Sequence, residues 1–199
     1  MSRTKSYEKA DLARRAMHRF WSHGYYATSI QDLVKVTGVN RHGLYAEYGD
    51  KLGVFVAALE QYFENFVGKA FGPVETPGAG LKEIRGYFSG LIDRADAAGL
   101  PGPGCFAANT MVECAPQEQA ICLLIKQHLS RLTSGFAQAL TNAKAAGQLR
   151  SAAKPDDLAL YLTISAQGLW SFSRTTGDAA LLRRYVDQLL APLETGATP

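Results

Sequence analysis

Apolar residues recur every three to four positions along most of the chain, and no stretch sustains the period-two alternation of a half-buried strand. Over residues 7–23 the pairs Leu12/Ala13, Ala16/Met17 and Phe20/Trp21 repeat every four residues. This is the stripe of an amphipathic helix, with Arg14, Arg15 and Arg19 on or near its wet side. Gly24 ends it. Two shorter apolar sets follow, Ile30/Leu33/Val34 and Leu44/Tyr48. A long stripe then runs through Leu52, Phe55, Val56, Leu59, Phe63, Phe66 and Val67. Beyond a Gly/Pro-dense loop at 72–80, Leu81, Ile84, Phe88, Leu91, Ile92 and Ala95 mark a fifth helix. A second such loop at 99–104 precedes a short segment, 105–114. Pro116 suits the first turn of a longer helix reaching about Ala146, with Leu124, Ile125, Leu132, Phe136 and Leu140 inward. Lys154-Pro155-Asp156-Asp157 opens the next, with acids placed to complement the helix dipole, and a last helix carries Leu181, Leu182, Tyr185, Val186, Leu189 and Leu190. About nine helices account for the chain, so the expected class is all-α.

Residues 28–51 hold the most specific local pattern. Thr28 and Gln31 have capping-box spacing, Gly38 stands just past the last apolar position of its helix, and Asn40 can cap the next one. Two short helices around a Gly-containing turn form a helix-turn-helix, whose second helix can enter a DNA major groove. That helix would present Arg41, His42, Gly43, Tyr45 and Ala46 outward while Leu44 points in. Arginine can take a guanine edge bidentately, and histidine and asparagine offer further hydrogen bonds. Tyr45 suits phosphate, as does Lys51 at the next helix start. A helical corner that never touches DNA is compatible with the same spacing.

Charge changes that balance. The 199 residues carry a net charge of +3, and it is unevenly placed. Through Lys51 there are nine Lys/Arg against five acids, net +4; beyond it there are twelve against thirteen, net −1. The positive excess therefore lies on the segment with the helix-turn-helix pattern, as expected if that segment meets phosphates. Other chemistry is sparse. The N-terminus lacks the apolar core of a signal peptide, and no apolar run reaches membrane-spanning length, so a soluble, cytoplasmic protein with no membrane partner is expected. Three cysteines lack framework spacing, and Cys105 and Cys114 would fall on opposite faces of one helix, unsuited to a bridge. His18, His23, His42 and His128 show no zinc spacing. No nucleophile–base pair stands out, so neither metal, cofactor nor catalysis is assigned.

The spacing Phe20-x-x-x-Gly24-Tyr25-x-x-Thr28-Ser29-Ile30-x-x-Leu33, followed by Gly38-Val39-x-x-x-x-Leu44-Tyr45-x-x-Tyr48-x-x-Lys51, resembles the TetR family of transcriptional regulators over roughly the first 55 residues. The resemblance implies a three-helix DNA-binding head (1–51) and a larger helical body (52–199) for effector binding and dimerisation. It also implies repression of double-stranded operator DNA that a small molecule relieves. Thr28, Arg41, Tyr45 and Lys51 match the family's DNA-contact positions. His42-Gly43 and Glu47 depart from the family's usual residues, which bears on the operator read and not on the fold.

In the body, Gly104-Cys105-Phe106-Ala107-Ala108-Asn109 followed by Glu113 is similar to a signature found in a subset of these regulators. An effector pocket is expected from Cys105, Asn109, Met111 and Glu113 with Phe66, Phe88, Phe136, Gln167, Trp170 and Phe172, apolar walls with a few polar groups. The same aromatics could serve simply as core. Cys105 at a helix start is a candidate for a lowered thiol pKa and electrophile or oxidant sensing, against the plainer reading of a small buried residue. The last two helices offer more apolar surface than one body needs. Leu160, Ile164, Gly168, Tyr185, Val186 and Leu189 are the candidate homodimer face. A helical ligand-binding protein without DNA function is the competing reading.

Overall fold

The expected helices form in the expected order. The computed structural model describes residues 7–150 and 154–193; residues 1–6, whose polar and basic sequence reads as an arm, lie outside the described residues. Helix α1 (Lys9–His23) buries Leu12, Ala13, Ala16, Met17 and Phe20 on one face. Helix α2 (Ile30–Thr37) starts with a capping box, but its members are Ser29 and Asp32. Asp32 N–H donates to Ser29 Oγ at 3.2 Å and Ser29 N–H to Asp32 Oδ2 at 2.9 Å. Thr28 is one residue too early for that role. Gly38 closes α2 in the left-handed conformation at φ 74°, which leads directly into α3 (Arg41–Tyr48).

Helix α4 (Lys51–Tyr62) is capped by Asp50 and packs along α1. It runs through a π turn, Phe63–Val67, into one further α turn, α5 (Gly68–Phe71). A 3₁₀ turn over Gly72–Glu75 then leads toward α6 (Leu81–Ala98), followed by the short α7 (Phe106–Glu113). Helix α8 begins at Gln119 and ends at Ala145. Pro116 is therefore not in its first turn: the N–H groups of Gln117 and Glu118 donate to Cys114 C=O, and this turn holds Pro116 ahead of the helix. Helices α9 (Pro155–Phe172) and α10 (Ala179–Leu190) complete the chain. Counting α4 and α5 as one bent helix gives nine among the described residues, and no β-strand.

The body is built on α8 lying along α9, with α6 carrying α10 on its other side. Its centre is aromatic. Phe71, Tyr87, Phe88 and Phe136 interlock, with Phe88 and Phe136 stacked at 6.1 Å and Phe71 edge-on to Phe136 at 5.0 Å. Each contributes roughly 1.5–3 kcal/mol by burial. Phe88 and Phe136 are wholly buried in this cluster, so they belong to the core and not to a pocket wall. Val186 and Leu189 are likewise buried, on the inward side of α10, and cannot lie on a dimer face. Across α6 and α10, Arg85 pairs with Asp187 at 2.9 Å and Arg183 with Asp93 at 2.8 Å.

Candidate functional site

The recognition helix is short and its register is fixed by capping. Asn40 Oδ1 accepts the Gly43 N–H at 2.8 Å, and Leu44 anchors the helix from the buried side. At the C-terminal end, Tyr48 donates its hydroxyl to Lys9 C=O at 2.7 Å, pinning α3 to the start of α1. This leaves Asn40, Arg41, His42 and Ala46 exposed, with Gly43 and Tyr45 half-buried beside them. The Arg41 guanidinium lies 5.1 Å from the Tyr45 ring centre, a cation–π pair that holds the arginine against the outer face of α3. Lys51 is half-buried, its ammonium 4.4 Å above the Tyr25 ring. Burial lowers its pKa, and the Glu113 charge opposes that. Glu47 accepts the Tyr7 hydroxyl at 3.5 Å.

Thr28 does not join this face. It is fully buried, and its hydroxyl donates to Gly24 C=O at 2.7 Å. A hydroxyl committed to the backbone inside the head has no path to a phosphate.

Beneath the head lies a cavity of about 380 Å³. Its walls come from α1, the π turn of the connecting helix, α6, the 99–105 loop, α8 and α9. Trp21 and His18 of the head face Tyr62, Phe66, Cys105, His128, Gln167 and Trp170 of the body across it. The π turn brings Tyr62 and Phe66 into parallel stacking at 5.6 Å, and Trp21 meets them edge-on at 5.1 and 5.3 Å. Trp21 Nε1–H donates to Gly104 C=O at 3.0 Å, so a head side chain is latched to the body loop at the cavity rim.

Within the cavity, His128 is buried and stacked on Phe63 at 4.6 Å; burial, and secondarily Arg131, push its pKa down to about 4, so it is neutral near pH 7. Cys105 does cap α7, accepting Ala108 N–H at 3.5 Å, and Tyr62 donates to its sulfur at 3.4 Å. Yet burial outweighs both donors and raises the thiol pKa. Of the two readings offered by the sequence, the small buried residue fits, and the low-pKa thiol does not.

A second contact joins head and body outside the cavity. Glu113, at the end of α7, accepts the Tyr26 N–H at 2.9 Å, and its carboxylate lies against Gly24. Residues 12–58 match the family described as bacterial regulatory proteins, tetR family. Residues 80–189, more than half of the chain, match the tetracyclin repressor-like C-terminal domain. The chain belongs to the TetR family.

Relatives match this TetR-family chain over most of its length. It is 29% identical over 201 residues to the uncharacterized HTH-type transcriptional regulator YezE of Bacillus subtilis (strain 168), covering 98% of this chain and 100% of that one. It is 29% identical over 168 residues to the HTH-type transcriptional repressor ComR of Escherichia coli (strain K12), covering 84% and 80%. Among solved structures, a cysteine mutant of the TetR family regulator CifR, complexed with 26-bp double-strand operator DNA, has a TM-score of 0.80 at 19% identity, covering 96% and 100%.

Of the TetR-like effector residues expected from sequence, the cavity gathers Phe66, Cys105, Gln167 and Trp170. Asn109 and Glu113 sit elsewhere, in the groove between α7 and the end of α1. Asn109 donates to Pro103 C=O at 2.8 Å and accepts from Arg174 at 3.1 Å, and Glu113 holds Tyr26. Met111 packs against the core rather than the cavity, and Phe172 is exposed at 51%. The signature segment thus divides: Gly104 and Cys105 line the cavity, while Asn109 and Glu113 lie at the seam to the head. Trp21, His18 and Tyr87 also line the cavity, without a clear signal in the sequence. Only the apolar position of Trp21 beside buried Phe20 hinted at this, since its partners lie 41 to 85 residues away.

Proposed function

We propose that this TetR-family chain is a homodimeric repressor whose grip on double-stranded operator DNA is released by a small molecule bound in the cavity beneath the head. The observation that carries the reading is the position of Trp21. It belongs to α1, the helix on which the DNA-reading unit is packed, and it also forms a wall of the cavity and bonds to Gly104. A ligand that fills the cavity therefore presses on a side chain of the head itself. If it binds better when Trp21 has left Gly104, it shifts the population toward heads out of register with the operator.

In this reading the head spans residues 1–51 and the body 52–199. Asn40, Arg41, His42, Gly43, Tyr45 and Lys51 meet the DNA. The dimer face is formed by Leu160, Ile164, Gly168 and Phe172, spaced by four along the exposed side of α9, together with the exposed Tyr161 of α9 and Tyr185 of α10. Exposed apolar side chains in one stripe favour burial against a second copy. Two-fold symmetry then calls for palindromic half-sites about 34–36 Å apart or a multiple of this.

Selection of bound duplexes from a random pool tests the reading. Enrichment of a palindrome with that spacing is expected, and recovery of unrelated sequences at all salt concentrations would overturn it.

A further inference from the structure

We infer that the cavity is built for a flat aromatic molecule bearing an oxygen acceptor and no positive charge, an aryl carbonyl or aryl carboxylate. The inference rests on reading this cavity as the effector site and names what enters it. Trp170 supplies the first argument. It is buried to all but 7% of its surface, it lines the cavity, and its Nε1–H has no hydrogen-bond partner among the described residues. The indole N–H is close enough to the Tyr87 phenol to offset part of the rise that burial imposes on that group, yet the two do not reach hydrogen-bond geometry. A buried N–H left unmade is costly, and an acceptor oxygen arriving between Trp170 and Tyr87 removes that cost.

The walls supply the second argument. The stacked Tyr62–Phe66 pair and the edge of Trp21 offer ring faces and edges suited to another ring. At about 380 Å³ the cavity sits at the small end of ligand sites, enough for a fused bicycle and not for an extended chain of rings.

Charge supplies the third. None of the lining residues among those described is Asp or Glu, whereas Arg94 stands at the rim, and His128 is neutral there because burial holds its pKa near 4. An entering cation finds no carboxylate and meets Arg94. A neutral carbonyl is unopposed, and an anion gains from the guanidinium.

Equilibrium dialysis of the full chain against four bicyclic probes tests this: 2-acetonaphthone, 2-naphthoate, 2-ethylnaphthalene and 2-naphthylmethylammonium. The ketone should bind about tenfold tighter than its hydrocarbon isostere, and the ammonium most weakly. In Trp170→Phe the ketone-to-hydrocarbon ratio should fall to near one. Because a ratio is read, a loosened cavity that weakens both probes alike does not mimic the result. Arg94→Gln should weaken the naphthoate alone. Equal binding of ketone and hydrocarbon by the unaltered chain, a ratio unchanged in Trp170→Phe, or tight binding of the ammonium would overturn the ligand class while leaving the effector site in place. No retention of any probe by protein that still binds DNA would overturn the effector-site reading as well.

Discussion

The carboxylate of Glu113 accepts the backbone N–H of Tyr26 at 2.9 Å across 87 residues of sequence, and it does so against the bare face of Gly24. Gly24 holds φ at 84°, and a Cβ added there would stand 2.6 Å from Glu113 Oε1. Gly24→Ala therefore meets two obstacles, a left-handed backbone and a collision. It should destabilise the protein by about 1–3 kcal/mol. Adding Glu113→Ala removes the collision but not the backbone strain, so the double variant should recover part of the loss. Urea denaturation of the two single variants and the double checks this. Additive losses would mean that the carboxylate and Gly24 are not in contact in solution.

Arg41 and Lys51 should separate reading from holding. Arg41 is exposed on the outer face of α3 and stacked on Tyr45, and its proposed role is to read a base edge. Arg41→Ala should lose about 1–3 kcal/mol on selected DNA and little on random DNA. Lys51, over the Tyr25 ring, contributes a point charge. Its alanine variant should weaken both, and the slope of log K against log salt should flatten by about one. Binding titrations at several salt concentrations distinguish the two, and equal losses on both DNAs for Arg41→Ala would remove its base-reading role.

The head was largely legible before folding because its signals are local. Capping residues, Gly38 and the apolar spacing act within a few residues of one another. Where that reading slipped, adjacent residues of like chemistry competed: Thr28 and Ser29 both carry a hydroxyl, and only burial of Thr28 against Gly24 C=O gives the cap to Ser29. The cavity was half legible. Periodicity places Phe66 and Phe88 equally on an inward stripe, but the π turn aims Phe66 at the cavity while Phe88 stacks inside the core on Phe136. That choice depends on contacts between distant helices, as does the role of Trp21. The same limit misplaced Val186 and Leu189, since an amphipathic stripe does not say whether it faces α6 or a second copy.

The face of α9 makes a separate prediction. Ile164 is 63% exposed and lies one turn from Leu160 on the same side. Ile164→Asp costs the monomer little, because most of the side chain is open to solvent, but would bury a charge in an isologous interface twice over. Sedimentation equilibrium should show loss of the dimer by at least about 100-fold in association constant. Far-UV circular dichroism should stay unchanged. A variant that remains dimeric would exclude this face.

His128 gives the pH dependence. Burial holds its pKa near 4 in the folded chain, against 6.5 for the ordinary group. The unfolded chain therefore binds a proton first as pH falls. Stability contributed by the neutral ring is fully present above about 6.5 and is lost as pH descends toward 4, by up to about 3 kcal/mol. Carboxylates titrate in the lower part of that window as well, so the wild type alone does not isolate the effect. Substitution by glutamine keeps a polar side chain that does not titrate. The difference in unfolding free energy between His128→Gln and wild type should thus shift in favour of the variant as pH drops from 7 to 4.5. Because the ring also lines the cavity and stacks on Phe63, the absolute offset at pH 7 carries the packing loss, and the slope alone carries the protonation. Parallel stability curves for the two proteins across this range would mean that His128 is hydrated, or paired, in the folded state.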